Sequence, residues 1–310
     1  MSRLVTLLFA TAVALAGSES LPSRLQMANE LIRQGRYQQA QVELQAVVGA
    51  LEQTGAPVLL VQALNNLAAL EIEAERYGKA EGFYRRSVQV WDQASAAEQA
   101  AEADPRFELV SMYVQAGWLK QAEVAAAEIR LTADRRQQIR YWGTTGDLRK
   151  AQRRWAEAGE CYNRAILLAG EVGDRAMQGV LWNSLGVALS GQRQWSQAVK
   201  ALERALLESE AAWGQEHPTL VTILTNLGGG YLEANQADRA GAALTRARDI
   251  AERSFGESSP VLYRILMLEA KAFRMTRQSS QAAIARRRAV ELQKSFAERH
   301  MVDIRDLAGR

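Results

Sequence analysis

Cysteine is almost absent: Cys161 is the single one in 310 residues. An intramolecular disulfide is thereby excluded, as is any metal site built on several cysteines. Histidine occurs twice, as His217 and His300, too far apart in sequence to suggest a paired catalytic or metal-binding motif. Five prolines and an aromatic content of 7% leave few chain breakers and few large rings. No stretch alternates Val, Ile and Thr with polar residues in the manner of a strand. Nucleotide loops are missing too. Gly143-Thr144-Thr145-Gly146-Asp147 is not followed by Gly-Lys-Ser/Thr, and Gly228-Gly229-Gly230 has no strand before it. There is no His-Glu-x-x-His and no Gly-x-Ser-x-Gly. The sequence therefore offers no motif for an enzyme, a resident metal or a cofactor.

Ala, Leu, Glu, Gln and Arg dominate instead, and all are good helix formers. With 48% hydrophobic residues the chain can bury a core, and an all-α fold is expected. The formal net charge is only +3. It is unevenly spread: residues 263–299 hold nine Lys or Arg against three Asp or Glu, whereas residues 17–262 hold 26 against 30. Most acidic side chains read as solvated helix faces. Cys161 lies in a helical run with Tyr162, Ala165 and Ile166 and reads as a small core residue, a reactive thiol being the alternative.

The first residues have the form of an export signal. Arg3 is followed by an apolar run from Leu4 to Ala16, ending in the small-x-small pattern Ala14-Leu15-Ala16. Thirteen helical residues span about 20 Å, short of a ~30 Å hydrocarbon core. A cleaved signal over 1–16 and an exported, periplasmic or extracellular protein are expected. A buried first helix is the alternative.

A short phrase then recurs along the chain: a turn, often an aromatic, two residues and an alanine. It reads Gly35-Arg36-Tyr37-Gln38-Gln39-Ala40 at its first appearance. The corresponding alanines are Ala40, Ala80, Ala122, Ala158, Ala198, Ala240 and Ala282, spaced by 40, 42, 36, 40, 42 and 42 residues. Before them come matching first halves, clearest in Trp182-x-x-Leu185-Gly186-x-x-Leu189 and Leu224-x-x-Leu227-Gly228-x-x-Tyr231. Four residues after the alanine stand Leu44, Tyr84, Tyr162, Leu202 and Leu244. Spacings of three, four and seven put such residues on one face of a helix. Each unit is thus a helical hairpin whose apolar face is buried only by stacking on its neighbours.

This pattern resembles the tetratricopeptide repeat (TPR) over residues 21–299. The phrases Trp213-Gly214-Gln215-Glu216-His217-Pro218 and Phe255-Gly256-Glu257-Ser258-Ser259-Pro260 are similar to the 42-residue repeats of the kinesin light-chain type. Pro218 and Pro260 fall where helices should start, which makes His217 a turn element. The resemblance implies a right-handed superhelical solenoid of about seven hairpins spanning 17–299, with a tail at 300–310. It also implies a non-catalytic scaffold or adaptor that binds a protein or peptide in a groove lined by the first helices. Groove positions carried over from the family are Asn65, Asn66, Asn183, Asn226 and Arg264. Their amides both donate and accept, so they suit a peptide backbone; bonding to neighbouring helices is the alternative. The family's carboxylate clamp is matched only in part, because Leu25, Asp104 and Glu108 replace its basic residues.

The basic end adds Lys271, Arg274, Arg277, Arg286, Arg287 and Arg288. Arg286 falls where other units place a bulky apolar residue. Two readings stand: a polar cap closing the array, or a dock for an acidic partner or anionic headgroups. Nucleic acid is not expected, because basic and aromatic residues are not interleaved. Self-association through the convex faces or ends is a further mode.

Overall fold

The computed structural model describes residues 20–308, and the side chains of 20–100 and 102–296. Residues 1–16, read as an export signal, lie outside the described residues. The described residues form fifteen α-helices and no strand. The first compact unit ends at Arg130 and the second begins at Leu131. Unit 1 holds α1 (Leu21–Arg33), α2 (Tyr37–Thr54), α3 (Pro57–Glu73), α4 (Tyr77–Gln93), α5 (Ala96–Ala101), α6 (Arg106–Gln115) and α7 (Leu119–Ala127). Unit 2 holds α8 (Arg135–Ala151), α9 (Trp155–Glu171), α10 (Arg175–Gly191), α11 (Trp195–Trp213), α12 (Leu220–Glu233), α13 (Ala237–Phe255), α14 (Val261–Met275) and α15 (Ser279–Ala308).

Seven hairpins result: α1–α2, α3–α4 and α6–α7 in unit 1, and α8–α9, α10–α11, α12–α13 and α14–α15 in unit 2. Within each unit, helices pack mainly on those next to them in sequence, as hairpin stacking requires. All five prolines sit at helix starts. Pro22 and Pro57 occupy the first turns of α1 and α3, Pro105 and Pro260 cap α6 and α14, and Pro218 lies two residues ahead of α12. The missing N–H does no harm there.

The recurring alanines are the packing centre of each hairpin. Six of the seven are fully buried and Ala282 nearly so. The bulky residue four positions on meets a small residue of its own hairpin's first helix. Ala28 precedes Leu44 by 16 residues, and Ala68–Tyr84, Gly146–Tyr162, Gly186–Leu202 and Gly228–Leu244 keep the same separation. A Cβ on Gly146, Gly186 or Gly228 would fall 2.6, 2.5 and 2.5 Å from the side chain of Tyr162, Leu202 or Leu244. In these three hairpins close helix approach excludes even a methyl group, whereas Ala28 and Ala68 carry one at the same point. Each fully buried Leu contributes about 1.5–3 kcal/mol of transfer free energy, and the knobs recur hairpin after hairpin.

The turn inside each hairpin is built the same way seven times. The residue five positions before each alanine has left-handed φ: Gly35, Glu75, Gly117, Arg153, Arg193, Asn235 and Arg277. At Arg193, the Gln194 N–H donates to the Leu189 carbonyl and the Arg193 N–H to Ser190, both at 2.9 Å. This is the Schellman pattern that satisfies the last carbonyls of a helix. Gly suits it, and Asn tolerates it; Glu or Arg costs about 1 kcal/mol there. Unit 1 uses glycine in two of its three turns, and unit 2 in none of its four. On the opposite side, Trp213-Gly214 and Phe255-Gly256 place glycine at φ 85°, ψ 165° and φ 81°, ψ 160°. That region is open essentially to glycine alone, which explains why both phrases carry it.

The third hairpin is the irregular one, with helices of only 10 and 9 residues. It is preceded by α5, held by a capping box between Ser95 and Glu98. Arg106 anchors its entry. The guanidinium donates to both Asp92 carboxylate oxygens at 2.7 and 2.6 Å and to buried Asp104 at 3.2 Å.

Candidate functional site

Three of the groove residues carried over from the repeat pattern lie on the first helices of consecutive hairpins in unit 2. Asn183 is on α10, Asn226 on α12 and Arg264 on α14. The structure joins them in one chain of hydrogen bonds. Asn226 Nδ2 donates to Asn183 Oδ1 at 2.9 Å, and Arg264 Nη2 donates to Asn226 Oδ1 at 3.0 Å. Both asparagines are half-buried and Arg264 is exposed. Each amide oxygen thereby accepts one hydrogen bond. N–H groups remain: those of the Asn183 amide, the second of Asn226 and the other donors of the Arg264 guanidinium. The ladder therefore offers a row of donors and one positive charge to whatever lies on it.

Beside the ladder, the three glycines of α12 face three ways. Gly228 packs under Leu244, and Gly230 packs against Leu202 and Val199. A Cβ on Gly229 would meet nothing within 4 Å. Gly229 is three residues from Asn226, close to one helical turn and so on the same side of α12. The sequence could only suggest that this run allows close helix approach; the structure shows that one of the three does not serve that purpose.

In unit 1 the two remaining groove candidates lie on α3 and behave differently. Asn66 Nδ2 donates to Asn29 Oδ1 of α1 at 2.6 Å, again linking consecutive first helices. Asn65 is half-buried, and its enclosed Oδ1 accepts no hydrogen bond among the described residues.

The six basic residues of the C-terminal end do not form one patch. Lys271 pairs with Glu233 at 2.6 Å, and Arg288 with Glu252 at 2.6 Å. Arg286 and Arg287 point outward from α15 and, with Val290 and Lys294, line a surface depression of about 440 Å³. Arg274 and Arg277 lie at the turn between α14 and α15, both exposed.

Not all acidic residues are solvated. Glu71, Glu208 and Glu269 are 2%, 5% and 1% exposed, which helix periodicity alone did not indicate. Arginines hold them: Arg76 on Glu71, Arg204 on Glu208, and Arg248 on both oxygens of Glu269 at 2.8 and 3.0 Å. Burial pushes the Glu269 carboxyl above its ordinary value, and Arg248 opposes that rise. Cys161 is buried, and burial pushes its thiol up, away from reactivity. His217 accepts from the Thr219 N–H through Nδ1 at 3.3 Å and stacks on Trp213 at 5.4 Å, as a turn element does. Among the described residues no group of three or more His, Cys, Asp or Glu could hold a metal, and no helix is long and apolar enough to cross a membrane.

Comparison with known proteins agrees with the hairpin architecture. Residues 183–219 match the family model for the tetratricopeptide repeat. No curated protein matches the chain in sequence. Among solved structures, BtubC (BKLC) from P. vanneervenii is 18% identical, with a TM-score of 0.51 over 90% of this chain and 93% of that one. A tetratricopeptide repeat protein from Parabacteroides merdae is 16% identical, with a TM-score of 0.57 over 82% and 84%. A STAND signal-transduction ATPase with a tetratricopeptide repeat sensor from Pyrococcus horikoshii is 13% identical, with a TM-score of 0.61 over 89% of this chain and 43% of that one. The class is an all-α, TPR-like solenoid. Residues 183–219 are similar to a tetratricopeptide repeat, and that fold is consistent with a scaffold for protein–protein interaction.

Proposed function

We propose that this protein is a non-catalytic adaptor that binds a polypeptide segment across the first helices of unit 2, on the ladder Asn183–Asn226–Arg264. The observation that carries this reading is the ladder itself: side chains from three consecutive hairpins are held in one hydrogen-bonded row, each with N–H groups left over. Such a row matches a ligand rich in acceptors, which every extended peptide is through its carbonyls. The open space at Gly229 lets a ligand backbone approach α12 closely.

A peptide library displayed on phage and selected on the whole chain tests the proposal. Clones bound by wild type are expected to lose about tenfold or more in affinity to Asn226→Ala, the cost of one or two hydrogen bonds. The far-ultraviolet circular dichroism of the variant should be unchanged. Undiminished binding of every selected clone would remove the ladder from the site.

The export reading rests on residues 3–16 alone. If the full chain is expressed with a native-like secretion pathway, the N-terminal residue of the mature protein is expected to be Gly17. A retained Met1 in the exported fraction would contradict it.

A further inference from the structure

The four turns inside the hairpins of unit 2 lie together at one end of its antiparallel helices. The turns between hairpins lie at the other end, about 25 Å away for helices of this length. The two ends differ in charge. Within four residues of Arg153, Arg193, Asn235 and Arg277 lie eight Arg or Lys and three Asp or Glu. Within four residues of Gly173, Gly214 and Gly256 lie two and six.

The acidic end is largely answered by its own surroundings. Glu171 pairs with Arg135, Glu210 with Arg246, Glu216 with Arg253 and Glu252 with Arg288. At the basic end, Arg153, Arg193, Arg274 and Arg277 are exposed and make no side-chain hydrogen bond or ion pair among the described residues. Three of them also hold a backbone conformation that glycine adopts freely and arginine does not, with φ of 58°, 59° and 61°. Strain repeated in equivalent turns, on side chains with no internal partner, points outward.

We infer that the intra-hairpin turn edge of unit 2 is a second docking surface, separate from the face of the first helices, for an acidic stretch of polypeptide. The arginines occupy the equivalent position in three of the four hairpin turns, at Arg153, Arg193 and Arg277. Cations repeated at equivalent positions fit a linear polyanion. Amides accompany them: Gln194 and Gln278 are exposed beside Arg193 and Arg277, and Asn235 is exposed in the turn between α12 and α13. Amides both donate and accept, so they complement a peptide backbone, whereas a phosphate array would need donors only. Guanidiniums take the carboxylates in bidentate pairs. A second copy of the chain is a poor occupant, because its acidic end is already paired.

The test uses the whole chain and a fluorescent polyglutamate peptide, read by anisotropy at low and high salt. The triple variant Arg153→Gly/Arg193→Gly/Arg277→Gly removes three charges and relieves three strained turns, so its thermal midpoint is expected to hold or rise. Wild type should bind polyglutamate at low salt and lose it at high salt. The triple variant should bind at least about tenfold more weakly. Asn226→Ala, which disables the first-helix face, should bind polyglutamate as wild type does, so the two proposals fail separately. Equal affinity of wild type and the triple variant would overturn the inference. So would binding to phosphatidylserine vesicles or single-stranded DNA with none to polyglutamate.

Discussion

Replacing Arg248 by methionine is expected to lower the unfolding free energy by about 3–5 kcal/mol at neutral pH, because it strands a buried carboxylate. Glu269 is 1% exposed, and Arg248 supplies two of its hydrogen bonds. Thr245 supplies only a long third one at 3.4 Å. The sign of the pH effect follows from the direction of the Glu269 shift. Its carboxyl is already raised by burial in the folded state. A raised folded value contributes stability that is fully present below the unfolded value and is lost as pH rises through the folded one. Removing Arg248 raises the folded value further. The deficit of the variant should therefore shrink as the solution is acidified, while the protein stays folded. Denaturant midpoints at neutral and mildly acidic pH check this, and a deficit independent of pH would contradict it. Arg248→Met/Glu269→Leu should recover most of the loss, since an apolar pair of similar volume replaces a buried ion pair at little cost.

Two neighbouring glycines should respond to the same substitution with opposite signs. Gly228→Ala forces a Cβ to within 2.5 Å of Leu244, which is fully buried and cannot retreat. Overpacking of this kind costs about 1–3 kcal/mol. Gly229→Ala adds a methyl group in open space in the middle of α12. Helix propensity alone then stabilises by up to about 1 kcal/mol. Urea midpoints of the two variants should move in opposite directions. If binding lies where proposed, Gly229→Ala also weakens the peptides selected on wild type, so that stability and affinity part company. A Gly229→Ala variant less stable than wild type would mean that the site is packed rather than open.

The repeat was legible because it is written at fixed spacing. Alanines at intervals near 40, bulky residues four positions later and prolines at unit starts all express one-dimensional constraints: helix period, knob placement and first-turn tolerance. The third hairpin was harder to read. Its helices are short, and its entry is held by Arg106, Asp92 and Asp104, a cluster of residue types with no periodic signature. The groove residues were reachable from repeat register, since Asn183, Asn226 and Arg264 occupy related positions on successive first helices. Their mutual bonding was not reachable. It depends on side chains from three hairpins meeting at 2.9 and 3.0 Å, and register does not specify rotamers.

The arginines at the turns show the same division. Their positions are visible in sequence, always five residues before a packing alanine. That Arg153, Arg193 and Arg277 hold left-handed φ, and that Arg274 and they find no ionic partner, appears only when the turns are built. The sequence by itself determined that this chain is helical, repetitive and stacked, because those properties follow from residue spacing along a single helix. The tertiary structure decided which glycine is packed and which is open, which glutamates are buried, and which charges are answered. Many of those outcomes depend on neighbours as far as 43 residues away in the chain, and distance along a sequence carries no record of which side chains will meet.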